Sequence, residues 1–136
     1  MTVLVIDGQG GRMGSAIIEE LASRGLPCEL IAVGTNSHAT AQMMKAGAQR
    51  GASGENPIIV NAARADIITG PIGIISANSL LGEITPKMAE AISGSGAEKV
   101  LLPVSRCHIS VAGLKSMKMA EYIHEAADMI EQLVRK

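Results

Sequence analysis

Four glycines fall within seven residues near the start of the chain, Gly8, Gly10, Gly11 and Gly14, in the stretch "VLVIDGQGGRMGSAII". Gly8, Gly11 and Gly14 keep a three-residue spacing that suits phosphate binding. The first permits a tight turn, the second lets backbone approach a pyrophosphate, and the third lets a helix pack on its strand. A helix that starts there adds N–H donors and partial positive charge. The same spacing also serves a strand-to-helix turn that holds no ligand. Asp7, directly before the glycines, would repel a bare pyrophosphate. It is a candidate to act catalytically, to hold a metal, to orient a polar substrate or to bond the turn's own amides, and the last is the simplest role.

A second group is "SRCH", Ser105 to His108. Cys107 is a candidate nucleophile activated by Arg106, with His108 as a proton donor, because thiolates form beside cationic groups. Neighbours in an extended segment point to opposite faces, which works against Cys107 and His108 acting on one atom. His38 and His124 read as solvated surface residues. No His/Cys spacing matches a metal site, so none is expected.

These residues must be positioned by regular elements. Residues 2–7 form an apolar, β-branched run, and an amphipathic pattern of Ile17, Ile18, Leu21 and Ala22 follows the glycines: strand, turn, helix. "CELIAVG" (28–34) and "NSHATAQMMKAG" (36–47) repeat that order, with Asn36 or Ser37 as cap and Gly47 as stop. "AQRGAS" (48–53) reads as an edge strand, and "PIIVNAARA" as a helix capped by Asn56 with Pro57 first. Strands are expected at 65–70, 98–104 and 108–113. Helices are expected from Thr85 and Pro86, and from Met117 to Arg135 with an apolar face of Ala120, Ile123, Ala127, Ile130 and Val134. Strands apolar throughout, alternating with helices, predict an α/β three-layer sandwich: one domain over 1–136 with a doubly wound, Rossmann-like parallel sheet of five to six strands.

In such a sheet ligands bind beyond the carboxyl ends of the strands. The turns there are "DGQGGRMG", "GTNSHAT", "GPIGIISANS" and "PVSRCH", and small and polar residues gather in all four. The third opens a long segment, "GPIGIISANSLLGEITPKM", whose Asn78, Ser79, Glu83 and Thr85 exceed what packing needs. Long loops in compact domains are commonly functional.

Composition narrows the classes of partner. With 47% hydrophobic residues in 136 the chain can bury a core, yet it has no Trp, no Phe and one tyrosine, Tyr122. A base-stacking nucleic-acid platform is therefore not expected. Twelve basic and thirteen acidic residues give a formal charge of -1, with no run of one sign to follow a phosphate backbone. The sequence opens straight into "TVLVIDG", and no apolar stretch approaches the roughly 18 residues of a membrane span. Cys28 and Cys107 suit free thiols in a reducing compartment. The expectation is a cytoplasmic protein engaging neither membrane nor nucleic acid.

"GQGGRMG" is similar to the GxxGRMG turn of dihydrodipicolinate reductases, which bind NAD(P)H; the likeness covers about the first twenty residues. It implies Arg12 as a phosphate contact near the adenosine end. A dinucleotide-binding chain usually ends its second strand with an acid for the ribose hydroxyls, but "GTNS" stands there, and neutral Thr35, Asn36 and Ser37 beside Arg12 favour NADP over NAD. Over nearly its full length, through "IDGQGG", "KAGA", "GPIGI" and "LGEITPKMAEAI", the chain resembles a small bacterial family of Rossmann-like proteins classed as a domain of unknown function. That implies the fold and the small size, and no particular reaction.

The binding residues expected are therefore Gly8, Gln9, Gly10, Gly11, Arg12, Met13 and Gly14 for phosphate, Thr35, Asn36 and Ser37 for the ribose, and Gly70, Pro71 and Gly73 for the rest of a nucleotide or dinucleotide. A homodimer would complete a site that one short chain leaves open. The competing classes are a non-catalytic small-molecule sensor or interaction module, and a Cys107-dependent enzyme without a dinucleotide.

Overall fold

Central strands that are apolar along most of their length need cover on both faces, and this chain alternates its strands with helices that supply it. A computed structural model describes residues 1–104 and 108–136. The elements run β1 (Thr2–Asp7), α1 (Arg12–Ser23), β2 (Glu29–Gly34), α2 (Ser37–Ala46), β3 (Arg50–Ser53), α3 (Glu55–Arg64), β4 (Ile67–Pro71), α4 (Pro86–Ser93), β5 (Glu98–Leu102) and α5 (Met119–Val134). A short 3-10 turn, Ile72–Ile75, follows β4. The sheet is parallel in the order β3-β2-β1-β4-β5. It is the doubly wound Rossmann-like sandwich with five strands, and its order reverses between β1 and β4.

Alternation along β1 divides the core. Val3 and Val5 share one core cluster with side chains of α1, α2 and α5, while Leu4 and Ile6 share the other with side chains of α3 and α4. All four are fully buried, and each contributes on the order of 2 kcal/mol relative to exposure. Arg24, just past α1, donates to Asp128 at 2.8 Å and Glu131 at 3.1 Å, which ties α5 alongside α1. Close approach of β4 to β1 depends on Gly70, because a Cβ there would run into the Ile6 carbonyl oxygen.

Three local expectations fail, each for a physical reason. Residues 108–113 are not a strand: His108 is left-handed at φ 68, and the segment runs as turn and coil. The coil that follows anchors Tyr122, whose hydroxyl donates to the Lys115 carbonyl at 2.9 Å. Helix α3 starts at Glu55 after Gly54, so Pro57 is its third residue and Asn56 is not the cap; proline is tolerated there because first-turn N–H groups have no intrahelical acceptor. The buried face of α5 uses Ala126 with Ile123, Ala127 and Ile130, and Ala120 is exposed. Among the described residues, no helix is long and apolar enough to cross a membrane.

Candidate functional site

The carboxyl end of β1 is organised by Asp7, a buried carboxylate. Its Oδ1 accepts from the Gly8 N–H at 2.8 Å and its Oδ2 from the Gly14 N–H at 2.7 Å. The side chain thus fastens strand to turn to helix, the self-bonding role weighed for it from sequence. Gly14 has no room for a side chain, since a Cβ would lie 2.9 Å from the Asp7 Cβ and 2.5 Å from the Met43 sulfur. Helix packing is the expected use of this third glycine.

The other two glycines serve purposes the spacing did not reveal. Gly11 is left-handed at φ 71, and a Cβ there would sit 2.8 Å from the Ala39 carbonyl oxygen. Its bareness therefore admits α2, where a pyrophosphate was expected. At Gly8 a Cβ would fall 2.5 Å from Glu83 Oε1 and 2.7 Å from Thr35 Oγ1. Gly8 is the seat of a carboxylate that comes from the segment between β4 and α4.

Glu83 Oε1 accepts three hydrogen bonds: from the Gln9 N–H at 2.7 Å, Thr35 Oγ1 at 2.5 Å and Asn36 Nδ2 at 3.3 Å. Asn36 also donates to the Gln9 carbonyl at 3.0 Å while its own oxygen caps α2 by accepting from the Ala39 N–H at 2.8 Å. The turns after β1 and β2 and the β4–α4 segment are thereby joined. Sequence reasoning singled out Glu83 only as surplus polarity in a long loop, and that surplus was the available signal.

The start of α1 remains open. Gln9 and Gly11 are left-handed on either side of Gly10, and the Gly11 N–H closes the turn by donating to the Gly8 carbonyl at 2.9 Å. Among the described residues, the N–H groups of Gly10 and Arg12 have no hydrogen-bond partner, and no side chain caps the helix. They border a cavity of about 480 Å³ walled by the turn, Leu80 and Met119. Leu80 and Met119 were not expected as site residues, and Met119 gave no local signal. Thr35 and Asn36 join Glu83 and Gln9 beside this cavity without lining it, whereas Ser37 is exposed. Gly70, Pro71 and Gly73 are buried, and the Gly73 carbonyl accepts from the Ser79 hydroxyl. Ser105, Arg106 and Cys107 lie outside the described residues, and with them the Cys107 chemistry. Among the described residues, no cluster of three or more His, Cys, Asp or Glu side chains is arranged to hold a metal.

The family described as Domain of unknown function (DUF3842) matches residues 2–135. The chain belongs to this family. No curated protein matches this DUF3842 chain. Among solved structures it is similar to the crystal structure of a dodecameric FMN-dependent Ubix-like decarboxylase from Escherichia coli O157:H7. Identity is 13%, the match covers 98% of this chain and 95% of that one, and the TM-score is 0.46.

The pKa values of the two carboxylates at the turn are displaced in opposite directions. Burial raises Asp7 above its ordinary 3.8 against the pull of the Gly14 and Gly8 amides, and the nearby Glu83 charge adds to the rise. Desolvation also works against ionised Glu83, but the bonds from Thr35, Gln9 and Asn36 outweigh it and hold this DUF3842 carboxyl below 4.5. For Glu83 the unfolded chain binds more protons, so its contribution to stability is full above 4.5 and is lost as pH falls through its folded pKa. In an NMR titration the Gln9 amide resonance is expected to move with a midpoint below 4.5. In Glu83→Gln that movement should vanish; a Gln9 midpoint above 4.5 would contradict the assignment.

Proposed function

We infer that this chain binds a nucleotide-derived small molecule at the carboxyl end of the sheet, its phosphate at the start of α1 and its ribose beside Thr35 and Asn36. The observation that carries this reading is that the N–H groups of Gly10 and Arg12, unpartnered among the described residues, border a cavity of about 480 Å³. That volume falls among those of small-molecule sites, roughly 300–1,000 Å³. Arg12, exposed at the first helical position, adds a guanidinium suited to phosphate.

Electrostatics favours one side of the turn for the phosphate. At the Gln9 amide it would face the Glu83 carboxylate, and two like charges 4 Å apart repel by about 4 kcal/mol at an effective dielectric constant near 20. The Gly10 and Arg12 side of the turn avoids much of that repulsion. The rest of the ligand then runs toward Leu80 and Met119. Gly70, Pro71 and Gly73 serve this reading as buried support for the turn. NADP was the finer expectation, drawn from Arg12 and the neutral Thr35 to Ser37 corner; Glu83 brings a negative charge into that corner. Asp7 has both oxygens on backbone amides and acts in this reading as an anchor.

The test is calorimetry and thermal unfolding with NAD, NADP, ATP and FMN. A ligand present at a hundred times its Kd adds about 2.7 kcal/mol of stability, a rise of several degrees in Tm. Absence of heat and of any shift across the panel would sink the proposal. The Gly8, Gln9 and Gly14 amides, which are satisfied internally, favour a second reading in which the turn only packs an interaction module. Silence across the panel is what that reading expects. Association into a homo-oligomer is proposed alongside, and light scattering with and without nucleotide measures it.

A further inference from the structure

We propose that Glu83 recognises the ribose of the ligand and selects one without a 2′-phosphate, replacing from the β4–α4 segment the acid that the end of β2 lacks. This rests on the nucleotide reading above and names its specificity. One oxygen of the carboxylate is fixed by Gln9, Thr35 and Asn36. Among the described residues, the other, Oε2, has no partner. A carboxylate held through one oxygen beside the end of β2 presents the second to hydroxyl donors, the chemistry that a vicinal ribose diol offers. A 2′-phosphate brought to the same oxygen meets like charge instead.

The segment that carries Glu83 is shaped to hold it there. Asn78, Leu80 and Leu81 adopt φ of 68, 55 and 57, a left-handed run that non-glycine residues keep only where their surroundings enforce it. The enforcement is visible. Leu80 and Ile84 are buried on either side, the Asn78 N–H donates to the Ile84 carbonyl at 2.7 Å, and the Ser79 hydroxyl bonds to the Gly73 carbonyl. Leu80 also walls the cavity, so the turn that places the carboxylate also shapes the pocket. The bare Gly8 beneath Glu83 completes the seat.

The experiment measures affinities of the full chain and of Glu83→Gln for NAD and NADP, and of the full chain for ATP and 2′-deoxy-ATP. Glutamine keeps an oxygen for the Gln9 and Thr35 donors and removes the charge. The parent is expected to prefer NAD over NADP, and ATP over its 2′-deoxy form, by about tenfold or more. Glu83→Gln should lose about tenfold for NAD and narrow the preference. The two parent comparisons keep the test decisive even where the variant folds poorly. Nucleotide binding without these preferences overturns the Glu83 assignment alone. So does an equal gain for NAD and NADP in Glu83→Gln, which would make Glu83 a plug on an anion site. Failure of the parent to bind any of the four nucleotides overturns both proposals.

Discussion

Gly11→Asp is expected to lose about 3 kcal/mol of stability or more, while Gly10→Asp folds normally and loses nucleotide affinity by at least about tenfold. From sequence Gly11, the second glycine of the three-residue spacing, is the position at which an aspartate would be chosen to repel a phosphate, and Gly10 is its unremarked neighbour. Space separates them. A side chain at Gly11 drives a Cβ to 2.8 Å from the Ala39 carbonyl oxygen and 2.9 Å from the Ala39 Cα, both backbone atoms of α2. Its φ of 71 adds the cost of a left-handed residue, about 1 kcal/mol and somewhat less for aspartate. At Gly10 nothing lies within 4 Å of the added Cβ, and the position is exposed. Gly11→Asp therefore confounds folding with binding, and Gly10→Asp isolates the charge. Urea unfolding separates the two effects: Gly11→Asp should lower the midpoint at unchanged m, and Gly10→Asp should leave it within about 0.5 kcal/mol of the parent. A stable Gly10→Asp that binds nucleotide as well as the parent removes the turn as the phosphate site.

The fold was legible because its signals are local and agree with one another. The central strands β1, β2 and β4 are built on short apolar runs closed by turns, and Asn36 and Thr85 cap their helices as their sequences predict. The strand that failed was local pattern without a tertiary partner. The β-branched and apolar residues of 108–113 suit a strand, but a strand needs a neighbour to pair with, and this segment turns away at His108. The candidate site was half legible. Spacing marked the glycine turn correctly as the entrance to α1. It could not show that Gly8 and Gly11 are small because Glu83 and α2 lie against them, since both contacts arise from folding over distance. Glu83 meets Gln9 across 74 residues, a separation at which no periodicity carries information. The missing acid at the end of β2 was correctly read as missing there, but a carboxylate reaches the same corner from another loop.

Asp7→Ala is the second large effect, an expected loss of about 2–4 kcal/mol, because it leaves the N–H groups of Gly8 and Gly14 buried without acceptors at a cost of about 1–3 kcal/mol each, less the relief of a buried charge. Asp7→Asn should fall between that variant and the parent. Its single amide oxygen can satisfy one of the two amides, and its NH₂ then faces the other donor. The pH dependence separates this anchoring role from mere bulk. Burial raises the Asp7 pKa above 3.8, so the folded chain keeps a proton that the unfolded chain has released, and parent stability from this group falls as pH rises from 3.8 through the folded value. Asparagine has no such proton. Lowering the pH through the same window should therefore widen the gap between parent and Asp7→Asn. Glu83 is present in both proteins, and its contribution to stability, which has the opposite pH dependence, enters both sides of the difference. Chemical denaturation at neutral pH and near pH 4 measures that gap, and one that narrows on acidification would show that hydrogen bonding to the ionised carboxylate outweighs its burial.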